Sequence, residues 1–318
     1  MKILVTGSAG HLGEALMRTL RDSHHEPVGL DVLSSPFTDL VGSIVDRGIV
    51  RKAMHRADAV LHAATLHKPH VATHRRQDFV DVNVTGTLNL LEEAARARVG
   101  AFVFTSTTSA FGRALTPPPG APAAWLTEDV APVPKNIYGV TKVAAENICE
   151  LVQRDTGMPC LVLRTSRFFP EEDDLPVVRD ARDDANNKVN ELLYRRVDIE
   201  DVVDAHLLAI EKAAGIGFAR YIVSATTPFT RDDLAELRRD APAVVRRLLP
   251  AYEAEYARRG WTMFESVDRV YDNAKARAEL GWAPKVDFAH AIARMRAEND
   301  LRSPLARAVG AKGYHRTA

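Results

Sequence analysis

Lys2-Ile-Leu-Val-Thr-Gly7-Ser-Ala-Gly10-His11-Leu12-Gly13 follows the initial Met1, and its reading decides the fold. Residues 2–6 are an apolar run of strand length. Leu12, Leu16 and Leu20 then recur every four residues, as on one face of a helix. Three glycines stand at the junction. A tight turn there needs residues without Cβ, so that a pyrophosphate can approach the backbone. The helix start offers unpaired N–H groups and the positive end of its dipole. Strand, glycine turn and helix in this order predict a dinucleotide site. Asp31 ends the next apolar run, Pro27 to Asp31, 18 residues after Gly13. A carboxylate there accepts hydrogen bonds from the adenosine ribose and repels a 2′-phosphate, which predicts NAD rather than NADP. No Lys or Arg follows before Arg47.

Outward from this start, apolar runs alternate with amphipathic segments. Residues 57–62, 101–106, 159–164 and 220–224 read as strands, and 78–98 and 138–154 as helices. The alternation implies βαβ units, hence an α/β fold with a doubly wound parallel Rossmann-type sheet. Residues 114–136 carry six prolines and read largely as loop. The polar, acidic stretch 170–190 separates two strand signals, and from about residue 228 the chain is helical and Arg-rich. Residues 1–169 are expected to form the dinucleotide-binding domain, with the strand near 219–224 returning to it. Residues 170–318 would make mostly a smaller substrate lobe.

The 318 residues contain 42 Lys+Arg and 42 Asp+Glu. A zero formal charge gives no electrostatic reason to expect nucleic acid or an anionic membrane as partner. Cys149 and Cys160 are the only cysteines, too few for a disulfide framework or a four-thiolate metal site, and read as reduced thiols. The glycine-broken start is too short for a signal peptide, and no apolar run reaches membrane-spanning length. A cytoplasmic protein is the expectation. His67, Lys68 and His70 lack a carboxylate-supported ligand spacing, so no metal is expected, and His67 reads as a substrate contact.

Tyr138-Gly-Val-Thr-Lys142 places a phenol and an ammonium on one helix face. A phenol with a pKa near 10 is a weak base at neutral pH. A neighbouring ammonium, with the positive charge of a nicotinamide, is expected to lower that value.

With Thr6–Gly13, Asp31, Val60-Leu-His-Ala-Ala64, Asn83–Leu91, Phe104–Gly112, Tyr138, Lys142 and Lys275–Pro284, the chain resembles the extended short-chain dehydrogenase/reductase family, the NAD-dependent epimerases, dehydratases and dehydrogenases of sugars. The resemblance implies a catalytic Thr107, four residues before the aromatic of Phe111-Gly112, acting with Tyr138 and Lys142. It implies NAD held by Gly7, Gly10, His11, Leu12, Gly13, Asp31, His62, Ala63, Ala64, Asn83, Tyr138 and Lys142, and a homodimer formed by the helices of 78–98 and 138–154.

Departures from the family narrow the chemistry. Thr108 and Ser109 stand where the 4,6-dehydratases carry an acid pair, which argues against dehydration. Arg167 takes the place of an Asn usual in nucleotide-sugar epimerases, and only 26 residues separate Pro170 from Val197. This short form resembles the uronate-type sugar dehydrogenases. Thr108, Arg167 and Arg196 therefore join His67 as candidate substrate contacts, with Arg195 a further candidate carboxylate or phosphate clamp. Pairing of these arginines with Glu171, Glu172, Asp173 and Asp174 is the plainer reading. The leading expectation is an oxidoreductase moving hydride between NAD and a secondary alcohol of a sugar or sugar acid. The alternatives are a nucleotide-sugar epimerase that retains NAD, and a non-catalytic NAD-binding protein.

Overall fold

A computed structural model describes residues 1–173 and 176–313. Seven parallel strands form one sheet in the order β3-β2-β1-β4-β5-β7-β8. They are β1 (Lys2–Thr6), β2 (Glu26–Asp31), β3 (Leu40–Val41), β4 (Ala59–His62), β5 (Ala101–Thr107), β7 (Cys160–Thr165) and β8 (Phe218–Val223). β6 (Ala124–Leu126) and β9 (Arg269–Tyr271) pair separately, also in parallel. Parallel neighbours need crossovers, which helices on both faces supply at every step but β2 to β3, where a loop makes the connection, giving the α/β architecture that the alternation predicts. The chain winds outward from β1 to β3, then returns to β4 on the other side. The carboxyl ends of β1 and β4 therefore bound a topological switch point, where such sheets bind ligands. Ile3 pairs with Ala59 and Thr6 with His62 in that register.

Strands buried on both faces read as continuous apolar runs. β7 is buried at every position, and Ile3, Leu4, Val5, Phe102 and Val103 are fully enclosed. One face packs against helix His11–Arg21 through Leu12, Leu16 and Leu20, and against helix Ile199–Ile216. The other packs against helices Gly86–Ala97 and Ile137–Thr156 through Leu90, Leu91, Ala145 and Cys149. Each large side chain so enclosed contributes about 1.5–3 kcal/mol to folding.

The helix expected over 78–98 runs from Arg76 to Ala97, but with a π-turn over Val80–Thr85. Such turns insert one residue and re-aim side chains, commonly near functional sites. Here the turn carries Asn83. The expected helix over 138–154 spans Ile137–Thr156, starts on an Asn136 cap that accepts from the Gly139 N–H, and ends at Gly157 with φ 74°.

The sheet takes back more chain than its last strand. Val197, Ile199, Val202, Ala276, Leu280 and Trp282 all join the core beneath β1 and β7. A second apolar core gathers Val189, Leu192, Leu193 and Tyr194 with residues from Phe229 to Met295. The Pro-rich stretch 114–136 is mostly loop but contributes β6, whose partner β9 lies well over a hundred residues later.

Candidate active site

A cleft of about 690 Å³ opens at the carboxyl ends of the strands. One end is the glycine turn. Gly7 has φ 74°, and a Cβ there would stand 2.7 Å from the Ala64 nitrogen. A Cβ on Gly13 would lie 1.9 Å from the Gly7 carbonyl oxygen. Glycine is thus required twice, once for backbone conformation and once for the helix to seat against the turn. Helix His11–Arg21 begins at Gly10 without a side-chain cap, so its first N–H groups are turned to the cleft unbonded by any cap. Asp31 closes this end. Its two oxygens accept from the Ala9 N–H at 3.0 Å and the Leu33 N–H at 2.9 Å, which fixes the carboxylate at the rim. A cradle of bare backbone, a helix N-terminus and a fixed carboxylate fit a dinucleotide.

The other end is built by β5 and helix Ile137–Thr156. Thr107, Thr108, Ser109, Tyr138 and Lys142 all line the cleft. The Lys142 Nζ donates to the Thr105 carbonyl at 2.6 Å and stands 4.0 Å above the Phe104 ring. Burial lowers its pKa to about 7, against the Glu146 carboxylate and Cys149. Burial also pushes the Tyr138 phenol up to about 12, a hydrogen bond from the Thr107 side pulling the other way. The expected lowering of the phenol pKa by the ammonium is therefore not realised by the protein's own groups. Desolvation disfavours both charged forms and outweighs their neighbours. Glu146 ties the frame together: it accepts from Ser106 Oγ at 2.5 Å and from Arg164 through both carboxylate oxygens. Neither Glu146 nor Arg164 is more than 2% exposed, so removing one would strand a buried charge.

Of the residues read from the sequence, Gly7, Gly10, His11, Leu12, Gly13, Asp31, Ala63, Ala64, His67, Thr107, Thr108, Tyr138, Lys142 and Arg167 share this cleft. Three do not. The buried His62 ring bonds Thr6 Oγ1 at 2.7 Å and Thr87 Oγ1 at 2.9 Å, joining β1 and β4 to helix Gly86–Ala97 from behind. The Asn83 amide bonds the Leu66 N–H and carbonyl, both at 2.8 Å, and donates to Thr141 Oγ1 at 3.1 Å. It orders the 65–66 loop that lines the cleft and does not face the cleft itself. Arg196 points to a second cavity, its guanidinium donating to the Phe169 carbonyl at 2.6 Å and to Glu191 at 3.4 Å. A buried guanidinium held in this way is not a clamp for substrate.

Arg167 and Arg195 do reach the cleft, but as members of an ion-pair cluster. Arg167 pairs with Asp173 and, at 3.0 Å, with Glu191; Arg195 pairs with Glu191 at 2.7 Å. Burial raises the Glu191 pKa, and Arg195, Arg196 and Arg167 more than reverse this, so it stays ionised. The plainer expectation of pairing with local acids thus holds for Arg167 through Asp173, while Asp174 lies outside the described residues. Residues missed from the sequence also line the cleft: Ser166, Phe169 and Glu171 after β7, and Arg269 and Tyr271 from β9. The first group follows a strand end and could be sought there. The second arrives from a strand pair that no local pattern announces.

Among the described residues no helix is long and apolar enough to cross a membrane.

The model of the NAD dependent epimerase/dehydratase family matches residues 3–223. The UDP-glucose 4-epimerase of Rhizobium leguminosarum bv. trifolii is 28% identical over 323 residues, covering 91% of this chain and 94% of that protein. A dTDP-glucose 4,6-dehydratase of Streptomyces antibioticus is 30% identical over 336 residues, with 92% and 91% covered. A short-chain dehydrogenase/reductase superfamily protein from Agrobacterium tumefaciens, solved with bound NAD, superposes with a TM-score of 0.66 at 25% identity, over 94% of this chain and 99% of that one. The UDP-glucuronic acid 4-epimerase from Bacillus cereus, in complex with NAD, shares the fold with a TM-score of 0.64 at 20% identity, over 91% and 95%.

Proposed function

The chain belongs to the NAD dependent epimerase/dehydratase family, and from that premise we propose that this NAD-dependent enzyme epimerises a sugar nucleotide at a carbinol carbon. The observation that carries the catalytic reading is the meeting of Thr107, Tyr138 and Lys142 in the cleft that begins at the Gly7–Gly13 turn. The choice of epimerisation rests on the similarity along the whole chain to UDP-glucose 4-epimerases, which moves the reading from net oxidation to an alternative that the sequence left open. The similarity to a 4,6-dehydratase does not extend to its chemistry, because Thr108 and Ser109 supply no carboxylic acid to protonate a leaving hydroxyl.

In this proposal the backbone N–H groups at His11, Leu12 and Gly13 hold the diphosphate and Asp31 the adenosine ribose. NAD, when bound, supplies a reversible acceptor for the hydride of the carbinol carbon. Tyr138 removes the hydroxyl proton and returns it, Thr107 bonds the same oxygen, and Lys142 holds the nicotinamide ribose. The ammonium cannot tune the phenol unless both are charged together, so the burial that raises one pKa and lowers the other must be offset when the site is filled. Asn83 and His62 act at one remove, holding the loop and strand that bear the cleft wall. Val140 and Leu151, exposed on helix Ile137–Thr156, support pairing of two copies through this face.

A specific observation favours a second reading. Arg167 replaces the Asn usual in the epimerases, and the stretch after Pro170 is short, which suits a free sugar acid oxidised with net formation of NADH. A panel of UDP-sugars, free sugars and uronates separates the two. Epimerisation predicts isomer formation from a UDP-sugar without accumulated NADH. Stoichiometric NADH from a uronate would replace this reading with the second.

A further inference from the structure

The loop 168–173 runs along the cleft from the catalytic end, beside Thr165, to the start of helix His11–Arg21, where Glu171 Oε1 meets His11 Nε2 at 2.9 Å. Phe168, Phe169, Glu171 and Glu172 face the cleft. The opposite side of the loop is held by two mid-chain cations and by groups from the far end of the chain. Arg196 donates to the Phe169 carbonyl at 2.6 Å and Lys188 to the Pro170 carbonyl at 2.5 Å. The backbone N–H groups of Lys312 and Gly313 donate to Glu171 Oε1 at 2.8 and 3.3 Å, and the Lys312 ammonium pairs with Glu14 on the first helix. None of Lys188, Arg196, Lys312 and Gly313 lines the cleft. Lys188 and Arg196 instead wall a second cavity of about 320 Å³ behind the loop, together with Val309, Gly310 and Ala311.

We propose that residues 310–313, with Lys188 and Arg196, clamp the loop 168–173 against helix His11–Arg21 and thereby set how long NAD stays bound.

Two physical effects act together. The first is mechanical. Successive carbonyls of the loop and the carboxylate of Glu171 are fixed from behind, so the cleft wall cannot swing away without breaking several hydrogen bonds to charged groups, each stronger than a neutral one. The second is electrostatic. Glu14 and Glu171 are carboxylates beside the helix start where a diphosphate would sit. Burial raises the Glu171 pKa, but the His11 side chain and the Lys312 N–H bring it down to about 2, so it is ionised at neutral pH. Negative charge left there would repel a diphosphate. Arg18 pairs with Glu14 at 2.8 Å and His11 with Glu171 at 2.9 Å, and the C-terminal segment adds an ammonium to the first and two N–H donors to the second. Removing it would loosen the wall and weaken that compensation in the same step. The inference rests on the proposed seat of NAD at the Gly7–Gly13 turn. It deepens the epimerase reading, since an enzyme that returns hydride to the same substrate gains from keeping its cofactor.

The test compares the full chain with chains ending at Gly313 and at Val309. Each is loaded with NADH, mixed with excess NAD, and followed by the loss of protein-bound NADH fluorescence. The chain ending at Val309 is expected to release NADH at least about tenfold faster than the full chain, the weight of one hydrogen bond to a charged group. The chain ending at Gly313 is expected to match the full chain. Equal or slower release from the chain ending at Val309 overturns the proposal, as does a chain ending at Gly313 that is as fast as the shorter one. Should the shorter chain fail to fold by circular dichroism, Lys312→Glu in the full chain takes its place, with the same acceleration expected and unchanged release overturning the proposal. No sugar is present in these measurements, so they stand apart from the identity of the product. A clamp that fails leaves the isomer assay untouched, and an epimerase reading that fails leaves the release rates as measured.

Discussion

The Gly7–Gly13 turn and the wall made by Arg167 and Arg195 occupy one cleft and are built by opposite means. The turn is backbone: its donors are N–H groups, and its shape depends on side chains that are missing. The wall is side chain: its guanidinium groups are held by two carboxylates, Asp173 and Glu191, from separate stretches of sequence. The difference teaches that the proposed cofactor end is shaped by the consecutive residues of one turn, where a Cβ at Gly7 or Gly13 has no room. The proposed substrate end is set by the tertiary fold and can be re-tuned one ion pair at a time.

Substitutions at the turn break that contrast most severely. Gly13→Ala puts a methyl group 1.9 Å from the Gly7 carbonyl oxygen, which only movement of the helix can relieve. Overpacking of this kind costs about 1–3 kcal/mol or more, and the displaced helix start no longer meets the diphosphate. Loss of measurable NAD binding by calorimetry is expected, and binding close to that of the parent would show that the turn is not the seat. Asp31→Ala is milder. It should narrow the preference for NAD over NADP by about tenfold, the scale of one charge contact near a surface. The ratio of the two kcat/KM values measures it, and an unchanged ratio would take Asp31 out of cofactor selection.

Lys142→Met sharpens the comparison from the catalytic end, with the smallest expected effect on the fold. The Lys142 pKa is depressed to about 7 in the folded chain against 10.5 ordinarily, so the unfolded chain binds more protons between these values. Stability of the NAD-free parent should therefore rise with pH from about 7 toward 10 on account of this group, and be lost as pH falls through 7. The Met variant should lose that slope and be more stable than the parent near neutral pH, where the buried ammonium is most costly, while binding NAD more weakly. Thermal melts across this pH range check the slope. A variant less stable than the parent at pH 7 would mean that the bond to the Thr105 carbonyl outweighs the burial of the charge.

The same contrast explains what was legible in the sequence. The strand–glycine–helix start, Asp31 and the Tyr138–Lys142 spacing are local patterns, and they point to the doubly wound sheet, which the structure shows, and to the proposed cofactor end of the cleft. His62 and Asn83 belong to local patterns too, but a pattern does not say which way a side chain faces. The register of β4 and the π-turn over Val80–Thr85 turn them to Thr6, Thr87 and Leu66. Arg196 read as a clamp because its charge is visible in the sequence, whereas its burial against the Phe169 carbonyl depends on the fold. Arg269 and Tyr271 were out of reach for the same reason, since the pairing of β9 with β6 brings them to the cleft across more than a hundred residues.

The catalytic assignment is tested most directly by the turnover of Tyr138→Phe on the substrate that the panel identifies, measured alongside its affinity for NAD. The change removes one oxygen from a ring that is 8% exposed, so the fold and NAD binding should remain those of the parent. The account predicts kcat lowered about 10²-fold or more, the usual weight of a positioned acid–base group. Turnover near that of the parent, with NAD bound as before, would contradict it.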